Sequence, residues 1–229
     1  VDEGYVLENY GSLDNLAPLQ EGYCQVQDVS SMLVAHVVDP QPGELVLDVC
    51  SAPGGKTTHM AALMENRGRI VACDIYDHKL QRVMENAARL GINIIDPMLK
   101  DAREIQQDFP QQADRVLVDA PCSGLGVLRR KPDSRWRKTQ QLLKELPELQ
   151  LEILKSGAAC VKPGGILVYS TCTIAREENQ AVVEKFLKDN AEFQLEHTGS
   201  RLPVPREDAM VQLYPQRDGT DGFFIACMR

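Results

Sequence analysis

The chain has 229 residues, of which 43% are hydrophobic and 25% are charged, and its net charge is −8 at pH 7. This length and composition are typical of a globular domain with a substantial core. No apolar run approaches the roughly 20 residues that a membrane-spanning helix needs, so no membrane association is expected. The chain begins without a basic-then-apolar leader, and its seven cysteines show no CxxC spacing. A reduced, cytoplasmic protein is therefore expected, and we take it to be a monomer.

Residues 1–22 show weak periodicity and scattered turn residues, which predicts an extended arm or a linker remnant. A single domain is predicted to follow it, at residues 23–229. Within that domain, strand and helix patterns alternate. Strands are predicted at Leu45–Val49, Ile70–Cys73, Ile94–Leu99, Val116–Val118, Ile166–Tyr169, Phe193–Glu196 and Phe223–Met228. Helices are predicted at Val29–Val38, Thr57–Glu65, Asp77–Leu90, Thr139–Val161 and Glu177–Asn190. The pattern indicates an α/β, doubly wound fold with a mainly parallel, seven-stranded sheet.

Two short motifs place a cysteine just after a strand-like run. They are Asp119-Ala120-Pro121-Cys122-Ser123-Gly124 and Ser170-Thr171-Cys172-Thr173. The carboxyl ends of parallel strands meet at one edge of a sheet, where α/β proteins bind ligands. If the two strands are neighbours, about 4.8 Å apart, both thiols open into one pocket. Two thiols and a carboxylate in one cleft indicate attack on an electrophilic carbon, but this chemistry does not decide which thiol attacks.

A glycine turn links the first strand to the helix that follows it. Adjacent Gly54 and Gly55 allow a ligand to approach the backbone closely, and the helix N-terminus offers free N–H groups to an anion. The turn is not a phosphate-binding P-loop, because Cys50 stands where that motif needs a glycine, and it lacks the dinucleotide pattern GxGxxG. A turn that only packs the helix on the sheet remains an alternative.

Acidic residues follow four successive strands, namely Asp48, Asp74, Asp101 and Asp119. Asp74 closes the second strand, where a carboxylate can accept both hydroxyls of a ribose. One such acid is usually a cap or a turn residue, but four together indicate the rim of a nucleoside pocket. A ligand with adenosine and a carboxylate but no phosphate suits this edge, and S-adenosylmethionine is one.

Positive charge is concentrated in residues 129–138, which hold six of the 25 lysines and arginines and the only tryptophan. Basic side chains beside an aromatic ring suit contact with phosphates and stacking on bases. The predicted nucleic-acid contacts are Arg129, Arg130, Lys131, Arg135 and Trp136. A solvated charge run on a surface loop is the alternative. The four histidines, His36, His59, His78 and His197, form no close pair in the sequence, so no metal is expected.

Five motifs together resemble the RNA cytosine-5 methyltransferase family. They are LDVCSAPGGKT (47–57), ACD (72–74), KD (100–101), DAPCSG (119–124), and STCT followed by EEN (170–179). The resemblance extends from Gln25 to Arg229 and implies a Rossmann-like class I methyltransferase fold with S-adenosylmethionine as cofactor. Segments 27–31, 126–133 and 221–224 are similar to members that act on bacterial small-subunit ribosomal RNA. In those proteins a helical RNA-binding domain precedes the catalytic domain, so the chain is expected to be a catalytic fragment.

The resemblance also implies roles for residues at the cofactor. The residues that would hold its methionine end are Ser51, Ala52, Pro53, Gly54, Gly55 and Lys56, and Cys50 would also belong to the cofactor site. Asp74 would bind the ribose and Asp101 the adenine, while Asp119 would lie at both the cofactor and the substrate base. Lys56 would help to position the methionyl end or the substrate.

The catalytic roles follow from the same resemblance. Cys172 would add to C6 of cytosine, which makes C5 electron-rich enough to accept the methyl group. Asp119 would hold the base edge and help to protonate N3, and Cys122 would assist loss of the C5 proton and release of Cys172. DNA cytosine methyltransferases use the cysteine of their Pro-Cys motif as nucleophile instead. Only the family match therefore favours Cys172 over Cys122.

Other functions remain open at this stage. The acceptor could be transfer RNA or another RNA, or a DNA, protein or small molecule that uses the same cofactor. A non-catalytic, nucleotide-responsive RNA-binding module is a further alternative. The paired thiols argue against that module, because binding alone needs no nucleophile.

Overall fold

One seven-stranded sheet organises the computed structural model, which describes the backbone of residues 1–229 and the side chains of all but Asp14, Arg137, Gln140 and Leu142. The strands are β1 (Leu45–Asp48), β2 (Arg69–Asp74), β3 (Ile95–Leu99), β4 (Ala113–Asp119), β5 (Val161–Thr171), β6 (Val211–Leu213) and β7 (Phe223–Met228). Their order is β3-β2-β1-β4-β5-β7-β6. The first five are parallel, and β7 runs antiparallel to both β5 and β6. This confirms the doubly wound, mainly parallel, Rossmann-like α/β fold.

Helices cover both faces of the sheet. The α-helices are α1 (Ala17–Gln20), α2 (Val29–Val38), α3 (Gly55–Leu63), α4 (Asp77–Arg89), α5 (Gln140–Ala158), α6 (Gln180–Asp189) and α7 (Pro215–Asp218). Short 3-10 helices span Leu13–Asn15, Ala102–Gln107, Leu125–Val127, Pro132–Arg137 and Thr198–Arg201. The predicted helix Val29–Val38 has the expected bounds, and its cap Asp28 accepts a hydrogen bond from the Ser30 N–H at 3.0 Å.

The core divides into two layers because successive strand residues point to opposite faces of the sheet. Leu47 faces the layer that contains Leu154 of α5 and Phe186 of α6. Its neighbour Val46 faces the other layer, which contains Met60 of α3. Helices α2 and α4 join that second layer through Val34 and Val83. The layers hold the strands in register, so the carboxyl ends of β1 to β5 form one continuous edge.

The sixth strand is not where the sequence pattern predicted it. The segment Phe193–Glu196 makes only an isolated bridge, between Leu195 and Met228, whereas Val211–Leu213 pairs along β7. The side chains of Val211 and Leu213 are fully buried. Three residues within a proline-rich tail are too few to show strand periodicity, which explains the wrong prediction.

The segment 1–22 lies against the domain through few but specific contacts. Arg89 of α4 donates hydrogen bonds to the carbonyls of Leu19 at 2.7 Å and Cys24 at 3.0 Å. Gly22 has φ +81°, and a Cβ there would stand 1.8 Å from the Arg89 carbonyl oxygen. Only glycine therefore permits this approach. Among the described residues, none of the helices combines the length and apolar character that crossing a bilayer requires.

Candidate active site

The two motif cysteines meet at the carboxyl edge of the sheet. Strands β4 and β5 are parallel neighbours, and Asp119 is in register with Ser170. The loops that follow therefore run side by side, and the Sγ atoms of Cys122 and Cys172 lie 3.3 Å apart. Both cysteines are partly exposed. Two sulfur atoms at this distance share a hydrogen bond, so the pair acts as one unit.

The shared hydrogen bond makes the two thiols different. It lowers the pKa of Cys172, and the Lys56 ammonium lowers it further, while burial and the Asp119 charge oppose this shift. The same contact raises the pKa of Cys122 well above its usual range, and burial adds to the effect. Cys122 therefore keeps the proton and donates it, and Cys172 is the thiol with more thiolate character. The directions of these two pKa shifts, and not the distance between the sulfur atoms, distinguish Cys172 from Cys122.

Asp119, at the end of β4, is held between two donors. Lys56 Nζ donates to Asp119 Oδ2 at 2.7 Å, and the Ser170 hydroxyl donates to Oδ1 at 2.7 Å. The Lys56 ammonium also lies 5.1 Å from the centre of the Phe223 ring. Burial alone would lower the pKa of Lys56, but the charge and hydrogen bond of Asp119 outweigh it and raise that pKa. The ion pair thus joins the glycine turn to the cysteine motif.

The glycine turn is fixed to the sheet beneath it. The Ser51 N–H and hydroxyl both donate to the Cys73 carbonyl of β2, at 2.9 and 3.1 Å. Gly54 has φ +101°, and a Cβ there would stand 3.1 Å from Cα of Val83 in α4. Helix α3 begins at the next residue, so its N-terminus faces the same edge. The turn therefore presents backbone rather than side chains at the sheet edge.

Asp48, at the end of β1, is a carboxyl group without a full set of partners. The Thr57 hydroxyl donates to Oδ2 at 2.7 Å, but Oδ1 is buried and has no hydrogen-bond partner. Burial raises the pKa of Asp48 to about 7, and the nearby Asp119 charge adds to the shift. The sequence placed this residue on the rim but gave it no role.

A pocket of about 240 Å³ opens beside these groups. Its lining from the predicted site comprises Asp48, Cys50, Ser51, Ala52, Pro53, Gly55, Lys56 and Asp119. The opposite wall is made by residues 25–28 and Ser31, ahead of and within α2. The Thr58 hydroxyl donates to Gln25 Oε1 at 2.9 Å, which ties this wall to α3. No role for this wall was predicted from the sequence, although part of it lies in segment 27–31, which carries the resemblance.

Asp74 and Asp101 lie further along the same edge, at the ends of β2 and β3. Asp74 Oδ1 accepts from the Tyr76 N–H at 3.0 Å. Asp101 caps the 3-10 helix at 102–107 and binds the Arg103 guanidinium at 2.6 Å. The Arg103 hydrogen bond lowers the pKa of Asp101. Asp74 Oδ1 also lies 3.8 Å from Lys79 Nζ, so both carboxylates already have partners within the protein.

The predicted nucleic-acid strip divides into two parts. Arg129 and Arg130 bind Asp221, at 2.5 and 2.7 Å, and both also pair with Asp28. Their charge is thus partly neutralised within the protein, and they join the N-terminus of α2 to the segment before β7. The side chains of Lys131, Arg135 and Trp136 are exposed, and the Arg135 guanidinium stacks 4.6 Å from the Trp136 ring centre.

Two of the four histidines meet in the fold although they are far apart in the sequence. His36 of α2 and His59 of α3 lie with ring centres 5.5 Å apart, because these two helices pack side by side. Glu3 Oε1 binds both rings, at 2.6 Å from His36 and 3.0 Å from His59. Their ligand atoms all lie within 4.8 Å of one another, and the shared carboxylate oxygen accounts for this arrangement by hydrogen bonding.

Glu178 was missed as a site residue. It is fully buried and accepts from the Ser123 N–H at 2.8 Å and from Gln150 at 2.9 Å. The only sequence signal was its place in the EEN motif after STCT, which carried no geometric information.

Comparison with known proteins shows which family the chain resembles. A family profile described as "16S rRNA methyltransferase RsmB/F" matches residues 35–229. The probable ribosomal RNA small subunit methyltransferase B of Bacillus subtilis (strain 168) is 46% identical over 216 residues, which cover 92% of this chain and 48% of that protein. The chain thus spans about half the length of the curated relatives it matches.

Solved structures show the same relationship. The crystal structure of PH0851 is 38% identical and superposes with a TM-score of 0.91, covering 97% of this chain and 50% of that one. The crystal structure of NSun6 from Pyrococcus horikoshii with SFG is 33% identical, with a TM-score of 0.85, covering 96% of this chain and 56% of that one. The expected resemblance is confirmed in sequence and in fold. The chain belongs to the 16S rRNA methyltransferase RsmB/F family.

Proposed function

We propose that this chain is the catalytic part of an enzyme that methylates C5 of a cytosine in small-subunit ribosomal RNA, using S-adenosylmethionine and a covalent bond between Cys172 and C6. The observation that carries the proposal is the thiol pair, with its 3.3 Å Sγ–Sγ distance and the lowered pKa of Cys172. A binding module has no use for such a pair. A methyl transfer to an unactivated ring carbon does need a nucleophile that first makes this carbon electron-rich.

The residues present fit S-adenosylmethionine. The unpaired Oδ1 of Asp48, on the pocket wall, can accept from an amino group, and the N-terminus of α3 favours a carboxylate. Next to Asp74, the exposed side chain of Ile75 offers an apolar surface at the edge where an adenosine would lie. When bound, the cofactor supplies an electrophilic methyl group. The protein's part is to orient that group and to exclude water around it.

Attack by Cys172 forms a bond between its sulfur and C6 of the base. The C5=C6 electron pair then becomes available at C5, and protonation at N3 offsets the negative charge that develops on the ring. Asp119 is the candidate to hold the base edge while a proton from solvent reaches N3, because Lys56 and Ser170 donate to its two oxygens at 2.7 Å. A carboxyl group fixed in this way can be held in line with a base edge at little entropic cost.

Cys122 suits the second half of the reaction. After C5 has accepted the methyl group, its proton must leave so that the ring can recover its double bond. A thiol whose pKa is raised is a strong base once it is deprotonated, and Cys122 is such a thiol. Once Cys122 has given its own proton to solvent, it takes the C5 proton, the C–H electron pair restores C5=C6, the bond between Cys172 and C6 breaks, and N3 returns its proton to solvent. The thiolate of Cys172 is thereby returned.

Ribosomal RNA is the proposed acceptor because the curated relatives are named small-subunit ribosomal RNA methyltransferases. The exposed side chains of Lys131, Arg135 and Trp136 offer positive charge and a stacking surface for it. Arg129 and Arg130 contribute less, since Asp28 and Asp221 already bind them. A cytosine in another RNA would be served by the same chemistry.

Methyl transfer tests the proposal directly. Label from S-adenosylmethionine is followed onto unmodified small-subunit ribosomal RNA, and nuclease mapping identifies the modified atom. We expect label at cytosine C5 that disappears in Cys172→Ala and persists in the matched variant Cys24→Ala, whose thiol is exposed and does not belong to the pair. Label that persists in Cys172→Ala would show that Cys172 is not the nucleophile. Failure to bind the cofactor would refute the methyltransferase itself.

A further inference from the structure

Glu178 lies just before α6 and is fully buried, yet its carboxyl group contacts the segments that carry both cysteines. Its Oε2 accepts from the backbone N–H of Ser123 at 2.8 Å, and its Oε1 lies 3.5 Å from the hydroxyl of Thr173. Ser123 directly follows Cys122, and Thr173 directly follows Cys172. One side chain therefore binds the residue next to each thiol.

Further hydrogen bonds close this network. The hydroxyls of Ser123 and Thr173 lie 2.8 Å apart, so the two loops also contact each other directly. Gln150 of α5 donates to Glu178 Oε2 at 2.9 Å and to the Pro121 carbonyl at 2.9 Å. Hydrogen bonds therefore hold both chain neighbours of Cys122, namely Pro121 and Ser123. Glu178 is held in turn by its own backbone, since its carbonyl accepts from the Tyr169 hydroxyl at 2.6 Å.

We propose that Glu178 is a positioning residue that sets the distance between the two thiols and, through it, the reactivity of Cys172. The catalytic meaning of this inference rests on the proposed function. A contact between two sulfur atoms is weak, so it cannot by itself hold two irregular loops together. A buried carboxyl group with several donors can, because losing it would leave the Ser123 N–H and the Gln150 amide without partners. Those donors would then draw the loops into a different arrangement.

The distance matters because the proton that Cys122 donates lowers the pKa of Cys172. If the loops separate, that hydrogen bond is lost and the pKa of Cys172 moves back towards that of an ordinary thiol. Glu178 would then influence the nucleophile without touching it, the substrate or the cofactor.

Alkylation of Cys172 by iodoacetamide, followed by peptide mass spectrometry across a pH series, tests the inference without RNA or cofactor. In Glu178→Ala we expect the alkylation midpoint of Cys172 to rise by about one pH unit or more. In methyl transfer we expect kcat to fall by about 10²-fold with little change in KM, which is the scale of a misplacement of about 1 Å. Glu178→Gln retains an acceptor oxygen for Ser123 and Gln150, so its midpoint should stay close to that of the unaltered chain.

Asp218→Ala is the matched control, because Asp218 is a buried acid that accepts from the Tyr214 N–H and binds Arg206, away from both cysteines. It should leave the Cys172 midpoint unchanged even if it lowers the melting temperature. If Glu178→Ala does not fold, Gln150→Met is the variant that tests the role of Glu178. It keeps the side-chain length and removes the bonds to Glu178 and Pro121, and it too should raise the midpoint.

A folded Glu178→Ala variant with an unchanged midpoint and kcat would overturn the inference, as would an unchanged midpoint in Gln150→Met where Glu178→Ala is unfolded. The proposed function fails differently. If the chain transfers no methyl group to cytosine, the alkylation series still shows whether Glu178 sets the thiol geometry.

Discussion

Lys56 and Asp119 form an ion pair, 2.7 Å between Nζ and Oδ2, that joins the first turn of α3 to the end of β4. The pair links the glycine turn electrostatically to the cysteine motif that follows β4. Its cation lowers the pKa of Cys172, and its anion raises it. The balance between these two charges helps to decide how much Cys172 thiolate exists near neutral pH.

Lys56→Met should therefore raise the pKa of Cys172, since the Asp119 charge would be left unopposed. The depressed pKa means that thiolate forms at a lower pH than in an ordinary cysteine, so reactivity rises earlier as pH increases. In the variant, the acid limb of the pH profile for Cys172 alkylation should move to higher pH. Lys155→Met removes a comparable ion pair with Asp189, at 3.0 Å, and should leave the profile unchanged. An unshifted limb in Lys56→Met would contradict this role.

Asp48 should make the stability of the cofactor-free protein depend on pH. Its pKa is raised by burial to about 7 in the fold, against 3.8 as the usual value, so ionisation is penalised only in the folded state. Its contribution to stability is present below about pH 4 and is lost as pH rises towards 7. Asp48→Asn should abolish this loss and raise the free energy of unfolding at pH 8 by on the order of 2 kcal/mol.

Urea unfolding at several pH values, without cofactor, measures this effect. The same variant should bind S-adenosylmethionine more weakly, because an amide cannot offer the charge that an amino group requires. Equal pH dependence in the variant and the unaltered chain would show that Asp48 is not the titrating group.

Gly54→Ala should weaken cofactor binding as well as stability. A side chain at φ +101° is strained, and the new Cβ would press on Val83 at 3.1 Å, shifting the turn against α4. Gly43→Ala is the matched control, because Gly43 has φ +93° and nothing within 4 Å of its Cβ position. Both variants should lose about 1 kcal/mol or more of stability, but only Gly54→Ala should lose cofactor affinity. Calorimetric titration with S-adenosylhomocysteine distinguishes them.

The exposed strip should contribute a measurable electrostatic term to RNA binding. Replacing Lys131 or Arg135 by alanine should weaken binding and reduce the slope of log K against log salt by up to about one each. Trp136→Ala should weaken binding with little change in that slope, because stacking carries no charge. Lys185→Ala, on the exposed side of α6, is the control and should change neither quantity. If all four variants kept the salt slope of the unaltered chain, the RNA would bind outside this strip.

Much of the fold was predictable because its signals are local. Alternating strand and helix patterns, glycine turns and acids at strand ends each depend on neighbours within a few residues. These patterns predicted the parallel sheet and the edge at which the candidate site lies. The thiol pair was also within reach, since two cysteines that follow neighbouring parallel strands must approach each other. In the structure β4 and β5 are indeed parallel neighbours, with Asp119 in register with Ser170.

The side-chain contacts that the sequence did not predict share a physical cause, which is that they join residues far apart in sequence. Glu178 reaches Ser123 across 55 residues, and Arg130 reaches Asp221 across 91. His36 and His59 meet only because α2 and α3 pack together. A single sequence shows that such residues are polar, but their partners depend on how the elements pack.

Trapping of a covalent complex tests the account most directly. Cys122→Ala, incubated with S-adenosylmethionine and small-subunit ribosomal RNA, should accumulate a denaturant-resistant protein–RNA adduct, because attack by Cys172 survives while release is slowed. Peptide mapping should place the nucleotide on Cys172, and the Cys122→Ala, Cys172→Ala double variant should form no adduct. Absence of an adduct in Cys122→Ala under conditions where the unaltered chain transfers methyl groups, or attachment at another residue, would contradict the assigned division of roles between the two thiols.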